Sequence, residues 1–135
     1  MSLIENKDLL ALTYDPNWLK LWTERFGNPL LDAETFRLNS NHGLSEIGKK
    51  PKSTDEVEGQ YMGLLRFTPR GWTEILRLRK ELSPIERDRI HMTGILQMVL
   101  EAGKIPVAAL PYFNQWGEVD SLDDLQLYEK LLRVN

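Results

Sequence analysis

The chain has 135 residues, 41% apolar and 27% charged, with a net charge of −3 and no cysteine. Those proportions are ordinary for a folded protein and argue against global disorder, and the length suits one modest domain or part of a larger one. The acidic balance lacks the basic footprint of a nucleic-acid binder, the missing thiols exclude disulfides and thiolate metal sites, and no apolar run approaches the roughly 20 residues of a membrane span.

The first ten residues, MSLIENKDLL, contain no long apolar stretch of the secretory kind, so a cytoplasmic protein is expected. Residues 8–14 (DLLALTY) predict a strand stopped by Asp15-Pro16. Pro16 suits the first turn of a helix, with Asp15 as its N-cap. Trp18, Trp22 and Phe26, with Leu19 beside them, form one apolar face of that helix, which ends near Gly27 and Pro29. Residues 33–39 and 44–48 predict two strands joined by the turn formers Asn39 to Gly43, a hairpin. Residues 49–55 read as a polar loop.

Residues 56–67 (EVEGQYMGLLRF) alternate, with Val57, Tyr61, Leu65 and Phe67 on one face, so a strand is expected. Gly59 and Gly63 inside it point to a bulge or to a close approach of a ligand. A helix follows over 69–82, carrying Trp72, Ile75, Leu76 and Leu82. Residues 83–90 read as a mobile loop. Met92, Ile95, Leu96, Val99 and Leu100 recur at helical spacing up to Gly103. Residues 105–110 predict a buried strand and 116–120 a short extended piece. Ser121 and Asp124 form a capping box for a last helix striped by Leu122, Leu125, Tyr128 and Leu132. Strands alternating with helices, most clearly after residue 56, predict an α/β fold with a partly parallel sheet.

Three ordered stretches resemble the sugar nucleotidyltransferase family, particularly the subgroup activating phosphocholine- or aminoethylphosphonate-like substrates with CTP. They are EIGKKP at 46–51 with EVEGQYMGLLRFTPRGW at 56–72, HMTGILQMVLEAGKIPVAAL at 91–110, and WGEVDSLDDLQLYEKLL at 116–132. DPNW at 15–18 and DAETFR at 32–37 fit the same pattern. The resemblance implies a partial Rossmann-like nucleotidyltransferase domain, a mixed sheet with flanking helices. It implies transfer of a nucleoside monophosphate from a triphosphate, CTP favoured, to a phosphorylated sugar, choline-like or phosphonate acceptor, with Mg²⁺ as cofactor and pyrophosphate released. The partners implied are the nucleoside triphosphate and the small acceptor.

Such families open with a glycine-rich basic loop that grips the triphosphate, and neither GxG nor GxxxxGK[ST] occurs here. The expectation is therefore that residues 1–135 are the C-terminal, acceptor-side portion, with the N-terminal nucleotide-binding portion absent. The isolated chain should then be inactive and prone to self-association through uncovered apolar surface. The alternative is a stand-alone α/β module that binds or assembles without catalysis.

The resemblance also assigns roles. Asp120, in EVDS at 118–121, matches the carboxylate that binds Mg²⁺, whose hard oxygen ligands bridge phosphates. Glu118, two residues away, is a second candidate ligand. The plain alternatives are a helix-terminus charge for Asp120 and a surface charge for Glu118. Lys50 lies in a Lys-Pro pair like the family's acceptor-phosphate segment, although Lys49 stands where the family has glutamate; a solvated lysine is the alternative. Glu58, Gly59 and Gln60 resemble the substrate-side strand, with Glu58 facing a cationic headgroup and Tyr61 adding a cation–π face; a polar strand face is the alternative. Trp18, Trp22, Phe26 and Trp72 read as core, and Trp116 is open. His42 and His91 have no metal or triad spacing and read as turn residues.

Overall fold

The computed structural model describes residues 2–134. Strand β1 (Leu10–Asp15) runs through the centre of a three-stranded sheet, between β4 (Gln60–Phe67) and β5 (Ala108–Pro111). β1 is antiparallel to β4 and parallel to β5, so the sheet is mixed, as the alternation of elements predicts. Leu10, Ala11 and Leu12 are wholly buried. A strand covered on both faces needs such a continuous apolar run, whereas alternation suits a half-exposed one. The predicted hairpin is present as β2 (Phe36–Leu38) and β3 (Leu44–Ile47). It is fastened to the main sheet where the Leu44 amide donates to the Val107 carbonyl at 2.9 Å.

Helix α1 (Trp18–Phe26) ends at Gly27, whose φ of 71° is one that an L side chain rarely adopts. Trp18 and Trp22 are buried as expected, but Leu19 faces outward. Asn17, not Asp15, stands at the helix cap position. Asp15 instead ends β1 and turns the chain by accepting from the Asn17 amide at 2.7 Å. Helices α2 (Pro69–Lys80) and α4 (Met92–Ala102) pack together, and α4 lies on β3. The side chain of Gln97 accepts from the Ile47 amide at 3.0 Å and locks that contact. The core joins Trp22, Phe36, Leu96, Val99 and Val107 to β1.

Four local expectations need correction. The stretch predicted as strand from residue 56 begins later, because Thr54–Glu56 forms a 3₁₀ turn and regular pairing starts at Gln60. Residues 83–90 are not a loop: α3 (Pro84–Arg89) is closed by a reciprocal capping box between Ser83 and Glu86. Trp72 is 43% exposed, lying edge-on to Phe67 at 5.5 Å, so it belongs to the surface of α2 and not to the core. The leucines of the α5 (Leu122–Val134) stripe point outward, with Leu122 and Leu132 both more than 60% exposed, while Tyr128 and Asp124 face in.

Candidate functional site

A cleft of about 190 Å³ opens where the start of the hairpin, β4 and the 116–120 segment meet. Its lining includes Asp32, Glu34, Gln60, Tyr61, Gly63 and Glu118, and none of its lining residues is lysine or arginine. A bulge in β4 shapes it. Leu12 pairs with Leu65 and Tyr14 with Tyr61, so three residues of β4 stand opposite Thr13 alone. Gly63 absorbs the distortion with φ of 78°. Bulges of this kind re-aim neighbouring side chains.

The cleft is electrostatically negative. Burial, then the carboxylates of Glu34 and Glu118, push the Tyr61 phenol up from its ordinary value. Burial likewise pushes the Glu118 carboxyl up; Asp120 adds to that shift and Arg25 opposes it. Asp32 is pushed up by burial too, again opposed by Arg25. For Glu118 and Asp32, burial comes first and the neighbouring carboxylates add to it, making those two charges harder to hold.

Beside the cleft stands a second cluster, built on Arg25 of α1. Its side chain is wholly buried, and its guanidinium carbon lies 4.7 Å from the ring centres of both Trp22 and Phe26. Nε donates to Asp124 Oδ1 at 2.9 Å and Nη2 to Asp124 Oδ2 at 2.7 Å. Nη2 also reaches Asp120 Oδ2 at 3.3 Å. Nη1 is buried without a hydrogen-bond partner and faces Glu118 Oε2 at 3.9 Å. The Asp124 carboxylate accepts from the Asp120 amide at 3.1 Å as well, and the Ser121 hydroxyl caps the Asp124 amide at 3.2 Å. Ser121 therefore caps as predicted, while the returning carboxylate bonds one residue earlier than in a reciprocal capping box.

The residues singled out from sequence separate into two groups. Gln60, Tyr61 and Glu118 line the cleft, and Asp120 joins them through the shared Arg25. Asp120 keeps 71% of its side chain exposed and Glu118 33%. Lys50 is exposed and is not among the lining residues. Glu58 turns away to accept from the Leu38 amide, at 2.6 Å, and ties β2 to the entry of β4. Gly59 is buried, and a Cβ there would strike the ring of Tyr14, so a core side chain fills the space beside it. The carboxylates beside Tyr61 are Glu34 and Glu118, not Glu58.

Sequence reasoning missed Arg25, Asp124, Asp32 and Glu34 as members of this region. Arg25 sits three residues after Trp22 on the helix, next to the apolar stripe, which is the one signal that it turns inward. Trp116 is half-buried: its indole N–H donates to Asp15 Oδ2 at 2.7 Å and its ring lies 5.8 Å from that of Trp22. His42 adopts φ of 60° in the hairpin turn, and His91 precedes α4. Among the described residues no three or more acidic or histidine side chains are grouped to hold a metal ion by themselves.

No protein-family model matches the chain. The chain is 34% identical, over 135 aligned positions, to the CTP:phosphoglutamine cytidylyltransferase of Campylobacter jejuni. The match takes in 93% of this chain and 51% of that protein, so the chain spans about half the length of the curated relative. The similarity supports kinship with the nucleotidyltransferases, the family that the ordered stretches at 46–72, 91–110 and 116–132 resemble.

Proposed function

We propose that the chain is the acceptor-side, C-terminal portion of a cytidylyltransferase. The observation that carries the reading is the similarity to a cytidylyltransferase over nearly the whole chain. In the proposed reaction a phosphate oxygen of the acceptor attacks the α-phosphorus of CTP. A new P–O bond forms as the bond from that phosphorus to the bridging β-phosphate oxygen breaks, and pyrophosphate leaves. Positioning and charge neutralisation account for most of the catalysis in such transfers.

The chain's own residues fit parts of that task. Gln60 and Tyr61 offer polar and aromatic surface to an acceptor. The acidic lining repels a phosphate, so the acceptor's uncharged or cationic end suits the cleft. Lys50 is the proposed acceptor-phosphate contact, and Glu58 and Gly59 shape the entry of β4. Asp120 and Glu118 suit Mg²⁺, which is held through one or two carboxylates plus substrate phosphates. When bound, that ion would neutralise phosphate charge.

The half-length match supports assigning the nucleotide grip to residues beyond this stretch, so the 135 residues alone should be inactive. The outward stripe of Leu122, Leu125 and Leu132 supports the same reading, since uncovered apolar surface promotes association. A protein acting in the cytoplasm follows from this reading.

The test is pyrophosphate release by the full-length protein, with CTP, Mg²⁺ and phosphocholine, aminoethylphosphonate, a sugar phosphate or phosphoglutamine as acceptor. CTP-dependent release with at least one acceptor, abolished in Asp120→Ala, is expected. No release with any of them would overturn the activity, and unchanged turnover in Asp120→Ala would overturn the metal role alone.

A further inference from the structure

The cluster on Arg25 gives that residue more than a structural task. We infer that Arg25 is a positioning residue for the Glu118–Asp120 carboxylates, fixing the proposed cation site from behind. The inference rests on the metal role proposed for Asp120.

Three observations lead to it. First, the guanidinium is immobilised before it touches any carboxylate. It is wholly buried, in contact with the rings of Trp22 and Phe26, on a helix anchored by Trp18 and Trp22. Its plane is fixed by that packing. Second, the two-toothed pair with Asp124 uses Nε and one edge of Nη2, and the same Nη2 reaches Asp120. Asp124 in turn holds the Asp120 amide. Backbone and side chain of residue 120 are thus gripped by one ion pair. Third, Nη1 is aimed at Glu118 but stops 3.9 Å short, beyond hydrogen-bond range. Glu118 is attracted to Arg25 without being tied to it, and its carboxylate stays in the lining of the cleft.

Residues 116–120 have no regular strand or helix to hold them. Their geometry comes from side chains: Trp116 on Asp15, the Glu118 amide donating to the Tyr128 hydroxyl at 3.1 Å, and residue 120 on the Arg25–Asp124 pair. Loss of the last anchor frees the carboxylates that the cation needs.

Charge and geometry predict different results for Arg25→Lys, which makes the inference testable. If Arg25 acted only as a positive charge, it would repel the cation. Arg25→Lys keeps the charge and removes the planar fork, so its effect reports geometry. The probe is Mn²⁺ alone, titrated into the full-length protein and followed by electron paramagnetic resonance.

Arg25→Lys and Asp124→Asn should each weaken Mn²⁺ binding about 10- to 100-fold, the range found for outer-shell partners of metal ligands. Both should lower kcat with little change in the KM for CTP. Circular dichroism identifies which variants fold, and Asp124→Asn loosens the anchor from the other side should Arg25→Lys fail to fold. A folded variant of either kind that binds Mn²⁺ within twofold of the unsubstituted protein, while Asp120→Ala has lost the ion, would overturn the role of Arg25. Unchanged binding in Asp120→Ala would overturn the metal assignment and the role of Arg25 together.

Discussion

Arg25 and Asp124, 99 residues apart, meet through two parallel hydrogen bonds of 2.9 and 2.7 Å, both side chains covered from solvent. The pair joins the first helix to the last. The Asp124 carboxylate has a third partner in the Asp120 amide. The leucines of the α5 stripe supply no such link, since Leu122, Leu125 and Leu132 face solvent.

Removing one member of this pair should be severe. Asp124→Ala leaves a buried guanidinium without its main partner, and such losses cost about 3–5 kcal/mol. Urea unfolding at neutral pH measures the change. A loss below about 1 kcal/mol, the range of surface pairs, would show that the pair is solvated in solution.

The same pair sets an acid sensitivity. Hydrogen bonding to Arg25 holds the Asp124 carboxyl well below the usual carboxylate range. The folded state therefore favours the charged form. Its contribution is complete above the unfolded value of about 3.9 and fades as pH falls below it. Glu118 acts oppositely: burial raises its value, so its penalty is present above the folded value and relieved below it. Melting temperature followed from pH 6 downward should fall more steeply in the unsubstituted protein than in Asp124→Asn, to a degree on the order of that linkage.

Gly59 provides a test between packing and ligand approach. A methyl group there meets the Tyr14 ring, and overpacking of this kind costs about 1–3 kcal/mol. Gly59→Ala should lower stability, and Tyr14→Leu in the same chain should recover part of the loss. Unaltered thermal stability with an impaired acceptor KM would assign the glycine to the ligand instead.

Trp116→Phe keeps an aromatic ring and removes the hydrogen bond to Asp15 Oδ2. Hydrogen bonds to charged groups contribute about 1.5–3 kcal/mol, and Asp15 is buried, so a loss of that size is expected in denaturant melts. An increase in stability would mean that Asp15 finds a better partner in solvent.

The negative field of the cleft is open to direct measurement. Replacing Glu34 and Glu118 by glutamine should lower the Tyr61 phenol toward its ordinary value of about 10, with burial keeping it somewhat above. Titration of the ring carbon signals by NMR reads the shift. No movement would place those carboxylates too far from Tyr61 to act on it.

Local signals in the sequence carried most of the fold. The apolar run at 8–14, the helical spacing from Met92 to Gly103 and the turn formers at 39–43 each locate an element within a few residues. Ser83 and Glu86 also carried a capping signal, but the six residues of α3 are too few to show an apolar period. Periodicity placed α5 without saying which side turns inward: Asp124 does, because Arg25 is there to receive it. The site was legible only in part for the same reason. Tyr61, Gln60 and Glu118 lie within the family-like stretches at 56–72 and 116–132, whereas Arg25 acquires its role from partners 95 and 99 residues away. Spacing rules reach a few turns of helix or a strand pair, and no local rule connects such distances.

That separation also orders events during synthesis. Arg25 leaves the ribosome long before Asp124 does, and until then its guanidinium, resting against Trp22 and Phe26, has no carboxylate of the last helix to pair with. Trp18 and Trp22 give α1 its own apolar anchors in the core, but the guanidinium gains its charged partners only from residues 118–124. The first helix, the last helix and the loop bearing Glu118 and Asp120 therefore share one electrostatic anchor, which is complete only when all three are in place.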